Sequence, residues 1–438
     1  MESNDQWEQQ LSHLRSGLYY SNQTTSLTPA LARALYTVAD RNDPHTRLFR
    51  SSISGLQTYY RNPYQYFLQY GLGLKEREQL EIKPSNTGTF FHDGLAELLH
   101  LVPGKDLTKL TDDQVARLAA QSSAFAIDQQ PDLKRYAKRY ARFRFQLNQM
   151  NGVVATMAQV LKLQAENMAA VPFVTEQPFG SGVERDEDAT TVLNPFDKPL
   201  SAVREDRATL NQKLLIRGRI DRIDKIVQDN GDQFLVVDYK SSNHPFDLAN
   251  AMSGIDLQIL AYLNALKGQL TTLEPQANNP QIVGANYLHL HRTRLDYPFK
   301  PGELAGANNY QFHGVIDNQE EVINNLYGNY NFFGFSVTKK GTSESSGSVL
   351  ASPDEFAALL AKNQQLLIAA AEQILSGNVK LQPYRKIIGN QQETGLDYSD
   401  YADIFRFDNV LDQRLYKLLE TDKDKLRDQL KKQPKEGD

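Results

Sequence analysis

The chain has 438 residues, 40% of them hydrophobic and 10% aromatic, enough to bury a core in one elaborated domain or in two or three smaller ones. Its net charge of −5 and pI near 6.0 do not favour broad binding to nucleic acid, so a DNA site would have to be a local patch. There is no cysteine, which excludes disulfides, thiolate zinc sites, iron–sulfur clusters and cysteine nucleophiles.

The first residues, MESNDQWEQQ, are polar and unlike a signal peptide, and no apolar run approaches the ~18 residues of a membrane span. A soluble cytoplasmic protein is therefore expected. Residues 1–50 read as a polar, helical lead-in or linker. In SSISGLQTYYRNPYQYFLQYGLGLKE, Ser54 can cap a helix, and Tyr59, Tyr66 and Tyr70 recur near helical spacing. TGTFFHDGLAELLH predicts a second helix with Phe91, Leu95, Leu98 and Leu99 on one face. Residues 105–170 keep helical periodicity and form an all-α insertion. Within it, PDLKRYAKRYARFRFQL places Tyr136, Tyr140 and Phe143 on one stripe, read as core, beside Arg135, Lys138, Arg139 and Arg142. Those cations could follow a phosphate backbone; a solvated helix face reads equally well.

From about residue 172 the period shifts towards strands. LANAMSGIDLQILAYLNALKGQ predicts one amphipathic helix ending at Gly268, and QIVGANYLHLHRT a strand. His289 and His291 share a face of that strand at a spacing zinc can use, but with no third ligand, packing or a DNA-side role is favoured. Residues 335–350 read as a loop. Ser352-Pro353 opens a helix reaching about Gly377, and 411–438 form a charged tail whose helix is expected to fray in solvent. Strands flanked by helices, with a hairpin and a helical insertion, make an α/β or α+β protein.

The chemistry concentrates in RGRIDRIDKIVQDNGDQFLVVDYKSS, residues 217–242. Asn230-Gly231 is the strongest short hairpin signal in the chain. With those residues as a two-residue turn, Asp221 faces Lys240 and Ile223 faces Asp238. Asp221, Asp238 and Lys240 then share one sheet face, whereas a register shift of one would scatter them. Buried charge needs compensation. A divalent cation on hard oxygen ligands, Mg²⁺ or Mn²⁺, would supply it; so would an ordinary salt bridge between adjacent strands. Asp224 points to the opposite face and reads, with Arg222, as a structural ion pair.

GRIDRID, VVDYKSS and LQILAYL, in that order, resemble the RecB-like exonuclease branch of the PD-(D/E)XK nuclease superfamily. That branch places a Gly-x-x-x-His helix before the hairpin and a Gln-x-x-x-Tyr helix after it. Gly88 to His92, and Gln258 with Tyr262, match both. The resemblance implies a restriction-endonuclease-like core, a mixed sheet flanked by helices, over residues 51–410. It further implies that His92, Asp221, Asp238 and the backbone carbonyl of Tyr239 ligate Mg²⁺ or Mn²⁺. Asp221, Asp238 and Lys240 would be catalytic, and Gln258 and Tyr262 would position the strand.

The flanking segments, SSISGLQTYYRNPYQYFLQYGLGLKE and GLDYSDYADIFRFD, resemble those of AddB- and RexB-type components of AddAB and RexAB helicase-nucleases. In the AddB type four cysteines hold an iron–sulfur cluster; Asn62, Leu396, Ser399 and Phe405 stand there in this chain, among matching neighbours Pro63, Tyr66, Phe67, Tyr398, Tyr401, Phe407 and Asp408. Residues 385–410 thus resemble a cysteine-free, RexB-like remnant in which packing, notably by Leu396 and Phe405, replaces the cluster. No Gly-x-x-x-x-Gly-Lys-[Ser/Thr] loop is present, so a C-terminal nuclease region without an ATP site of its own is expected. The resemblance implies a deoxyribonuclease acting on the 5′-ended strand at double-strand breaks for recombinational repair, with DNA and a RexA/AddA-type helicase-nuclease as partners. A catalytically weak structural or DNA-clamp domain of the same complex is the alternative.

Overall fold

Leu214, Ile216 and Ile220 lie two or four residues apart, so they share one face of an extended chain. They fall in the longest strand of the molecule's main sheet. In this computed structural model the described residues are 7–8, 10–15, 25–75, 77, 81–180, 196–205, 208–242, 244–290, 310–326, 332–338, 341–344, 347–397 and 399–432. In chain order come α1 (Pro29–Tyr36), β1 (Thr37–Ala39), β2 (Thr46–Ser52), α2 (Ile53–Arg61), α3 (Pro63–Tyr66) and α4 (Pro84–Leu101). Then follow α5 (Asp112–Asp128), α6 (Pro131–Arg139), α7 (Ala141–Asn167), β3 (Val171–Phe179), β4 (Lys198–Glu205), β5 (Ala208–Ile226) and β6 (Gln233–Lys240). After them come α8 (Leu248–Ser253), α9 (Gln258–Leu273), β7 (Gln281–His289), β8 (Phe312–Asp317), α10 (Glu320–Leu326), β9 (Phe335–Thr338), β10 (Gly341–Glu344) and β11 (Val349–Ala351). The chain ends with α11 (Pro353–Leu375), β12 (Tyr384–Ile388), β13 (Gln391–Thr394), α12 (Ala402–Phe405), β14 (Lys417–Leu418) and α13 (Lys423–Lys431).

The main sheet runs β1-β2-β5-β6-β7-β8-β11, with β3 and β4 also paired to β5. It is mixed: β5–β6 and β7–β8 are antiparallel, while β2–β5, β6–β7 and β8–β11 are parallel. One face buries Ile216, Ile220, Phe234 and Val236 with residues of α2, α9 and α11. The other buries Leu235, Val237 and Tyr239 with residues of α4, α5 and α7. On α4, Phe91, Leu95, Leu98 and Leu99 are fully buried, the face the spacing predicts.

Several local expectations change. Residues 29–50 are more than a lead-in: they supply α1, β1 and most of β2, whose Leu48 and Phe49 are buried. Ser52, not Ser54, caps α2, accepting from Gly55 N at 3.1 Å. The predicted stripe Tyr136–Tyr140–Phe143 spans two helices, because the chain turns in extended conformation at Tyr140. The rings still meet, Tyr136 and Tyr140 lying 5.4 and 5.9 Å from Phe143, but only Phe143 is buried and the tyrosines are half-exposed. The single helix expected to end at Gly268 splits into α8 and α9 at Gly254 and runs on to Leu273. Part of the expected loop 335–350 is the β9–β10 hairpin followed by β11; Phe335 is fully buried and anchors it. The tail is not merely solvated. Leu426 and Leu430, four residues apart, are buried in the α11 side of the core, and Arg427 pairs with Glu344 and Glu355. His291, Ser345, Ser346, Tyr398 and residues 433–438 lie outside the described residues.

The cluster-like positions meet at a corner of their own. Phe405 is buried with Tyr64, Phe67, Leu68 and Tyr401, and half-buried Leu396 packs against them. Asn62 accepts from Tyr64 N at 3.2 Å as it caps α3, and Ser399 meets Gln65 at 3.1 Å. With no cysteine in the chain, apolar packing and short polar contacts hold this corner.

Candidate active site

The β5–β6 ladder pairs Arg222 with Val237, Ile223 with Val236 and Ile226 with Gln233. The connection is therefore six residues long, 227–232, rather than a two-residue turn at Asn230-Gly231. Asp232 explains the difference. Its N–H donates to Asn278 O at 2.7 Å, its carbonyl accepts from Gln281 N at 2.8 Å, and its carboxylate meets Lys225 at 3.0 Å. These contacts draw Asp232 away from the last rung. The register moves by two residues, so side chains keep their faces. Continuing it by one rung sets Asp221 level with Asp238, not with Lys240.

Asp238 is fully buried. Lys240 Nζ stands 2.7 Å from Asp238 Oδ2 and donates to Gln258 Oε1 at 2.7 Å. Gln258 Nε2 donates to Asp238 Oδ1 and to Tyr262 OH, both at 2.9 Å. Gln258 and Tyr262 are four apart on α9 and so share a helix face. One amide thus ties carboxylate, ammonium and phenol together. Burial, reinforced by neighbouring Asp221, pushes the Asp238 carboxyl up to about 7, against the pull of Lys240 and His92. Burial draws the Lys240 ammonium down, yet Asp238 and Asp221 outweigh it and hold the group above its ordinary value.

Beside this network, α4 brings His92 Nδ1 to 3.2 Å from Asp221 Oδ2, and Tyr239 N–H donates to the same oxygen at 3.0 Å. Burial pulls His92 down, but Asp221, and then Asp238, lift it to about 9. Sequence reasoning missed Glu176. Thr175 and Gln177 pair with Arg222 and Ile220, so Glu176 lies level with Asp221. Ligand atoms of His92, Glu176 and Asp221 all lie within 4.8 Å of one another, the one such group among the described residues. Arg219 donates to Glu176 Oε2 at 3.0 Å, whereas Oε1 is buried without a hydrogen-bond donor. A buried, donorless carboxylate oxygen beside an imidazole and a second carboxylate is the donor set a hard divalent cation takes. The only sequence signal for Glu176 is a charge inside strand-like VPFVTEQPFG, which has no diagnostic spacing.

The remaining candidates sit elsewhere. Arg222 makes a two-pronged pair with Asp224, both contacts 2.5 Å and both residues buried, on the face away from Asp221. His289 accepts from His244 N and stacks near His313 rather than joining the cation-spaced group.

Residues 50–390 match the model of the PD-(D/E)XK nuclease superfamily. The chain belongs to that superfamily. The resemblance drawn from GRIDRID, VVDYK and QILAY thus extends over most of the chain. Among curated proteins, the chain is similar to the second (B-type) subunit of the ATP-dependent helicase/deoxyribonuclease of Limosilactobacillus reuteri (strain DSM 20016), at 36% identity over 93% of this chain and 32% of the relative. The protein of the same name from Limosilactobacillus fermentum is 36% identical over 94% of this chain and 34% of its own length. That from Latilactobacillus sakei is 31% identical over 93% and 33%. The chain spans about a third of the length of these relatives. No helix among the described residues is long and apolar enough to cross a membrane.

Proposed function

We propose that this chain is the metal-dependent exonuclease region of a RexAB/AddAB-type helicase-nuclease, acting in the cytoplasm on DNA ends. It would hydrolyse phosphodiesters of the 5′-ended strand, delivered by a RexA/AddA-type partner, during processing of double-strand breaks for recombinational repair. The name shared by the relatives, which pairs helicase with deoxyribonuclease, supports the partner and the substrate. The observation that carries the chemistry is the joined network of Asp238, Lys240, Gln258 and Tyr262 beside His92, Glu176 and Asp221.

In this reading His92, Asp221, Asp238 and the Tyr239 carbonyl hold Mg²⁺ or Mn²⁺, with Glu176 at the edge of the same site. Bound there, the cation would polarise a phosphoryl oxygen and lower the pKa of a water. Lys240 meets charge developing on the phosphate; Gln258 holds the ammonium in place, and Tyr262 holds Gln258. Because these groups are mutually bonded, with Tyr262 buried and Lys240 and Gln258 half-buried, they are oriented before substrate arrives.

The test compares wild type with Lys240→Ala on end-labelled DNA in Mg²⁺, with and without the RexA/AddA-type partner. Cleavage should fall about 100-fold or more, the scale for losing one preorganised charge-stabilising group, while fold and partner binding persist. Equal cleavage by both proteins rejects Lys240 as catalytic, and no cleavage by wild type even with its partner favours the clamp.

A further inference from the structure

β6 ends at Lys240, and His244 lies against the neighbouring strand β7. His244 is pinned by its backbone: its N–H donates to His289 Nε2 on β7 at 2.9 Å. The ring is pinned too. Its Nε2 lies 3.1 Å from Asp256 Oδ2, and it meets the Tyr287 ring edge-on with centroids 4.8 Å apart. Asp256 is buried, and the Tyr287 hydroxyl reaches its two oxygens at 2.9 and 2.8 Å. Burial pushes the Asp256 carboxyl up, but His244 and then Tyr287 outweigh it and hold the group below the ordinary carboxylate value.

A carboxylate this deep needs a positive partner. Lys240 is near, 5.2 Å from the Tyr287 ring centre, but its contacts go to Asp238 and Gln258. His244 is the cation-forming group that touches Asp256. With Nε2 turned to Asp256, Nδ1 is the other polar atom of the ring, and the His244 side chain keeps 35% exposure. An imidazole that gives one N–H to a carboxylate is an acceptor at its other nitrogen while neutral; the imidazolium donates there, and can meet an anion. Lys240 and His244 thus both lie against one buried tyrosine, Tyr287, at and beyond the end of β6.

We infer that His244 forms a second phosphate subsite beside Lys240, receiving through Nδ1 a backbone phosphate of the DNA strand next to the one being cleaved. The inference rests on the nuclease reading above. Asp256 acts only through the ring it fixes.

The test measures binding of a fluorescent oligothymidylate to the chain across a salt series, in EDTA so that the strand stays uncut. His244→Gln should weaken binding about fivefold at low salt and reduce the slope of log affinity against log salt by about 0.7, one phosphate contact on a single strand. His244→Lys, which keeps a cation, should retain the slope. An unchanged affinity, or weaker binding with an unchanged slope, overturns the subsite, because a structural role moves stability without moving the counterion term. If His244→Gln fails to fold, the lysine variant carries the test: a slope lost despite its charge also overturns the subsite. Cleavage of end-labelled DNA by Lys240→Ala in Mg²⁺, measured in parallel without EDTA, separates the two claims. If that variant cuts like wild type, the nuclease reading fails; if it is inactive while His244→Gln keeps the wild-type slope, only the subsite fails.

Discussion

Glu176 adopts φ +54°, a conformation that costs a non-glycine residue about 1–3 kcal/mol and persists only where its surroundings impose it. Here the torsion, inside β3, carries a carboxylate to Asp221 and His92, where burial and then Asp221 raise its pKa and one oxygen finds no donor. Both features destabilise the metal-free protein, and both become useful once a cation binds. Glu176→Gln should therefore shift two measurements in opposite directions. Without metal its melting temperature should rise, because like-charge repulsion is relieved; Mn²⁺ affinity by calorimetry should fall about 10–100-fold, the scale on which supporting groups tune a metal site. Unchanged Mn²⁺ affinity would remove Glu176 from the site. At this scale the sequence was informative wherever residue type and spacing coincided. His92, Asp238, Lys240, Gln258 and Tyr262 each stand in such a pattern; the structure joins the last four in one hydrogen-bonded network and sets His92 against Asp221 beside it. Glu176 does not: its role depends on one backbone torsion and on the β3–β5 pairing, and neither leaves a mark in the string of letters.

Elements were legible in kind and less so in their ends. The β5–β6 hairpin forms, yet contacts from Asn278 and Gln281, almost fifty residues downstream, lengthen its turn. Local turn propensity loses to a tertiary hydrogen-bond pair, and the site survives because the shift is even. The split between α8 and α9 has a similar cause. Gly254 closes α8 at φ +86°, and a Cβ there would lie 2.4 Å from the Tyr60 ring. Asn250 O then accepts both Ile255 N and Asp256 N, which swings the chain so that α9 starts anew at Gln258. Periodicity sees only a continuous apolar stripe, since Tyr60 is far away in sequence. Gly254→Ala should destabilise the fold by about 2–4 kcal/mol in urea unfolding, combining a disallowed torsion with overpacking. It should also lower cleavage, because Gln258 shifts with the start of α9. Wild-type stability in this variant would mean that the break is set elsewhere.

At the scale of the molecule, composition predicted a core but not its division, among the described residues, into three clusters. Two clusters lie on opposite faces of the sheet, and a third joins α3 to the segment around α12. That third cluster unites residues over three hundred positions apart, a link no local pattern can display; only the resemblance to cluster-binding flanks pointed to it. Phe405 sits at its centre, 1% exposed, with ring centroids 6.1 Å from Tyr64 and 6.4 Å from Tyr401. Truncating such a side chain costs about 3–5 kcal/mol. The corner is a satellite of the main core, so the loss should be local, opening one cooperative unit rather than the whole domain. Phe405→Ala should make the chain between about residues 395 and 412 sensitive to limited proteolysis, while the fragment containing the sheet resists and keeps its Mn²⁺ affinity. If instead the entire chain unfolds in one step with no preferential cut, the corner is continuous with the main core and contributes to global stability. If neither proteolysis nor melting changes, packing around Phe405 is not what holds the two ends of the domain together.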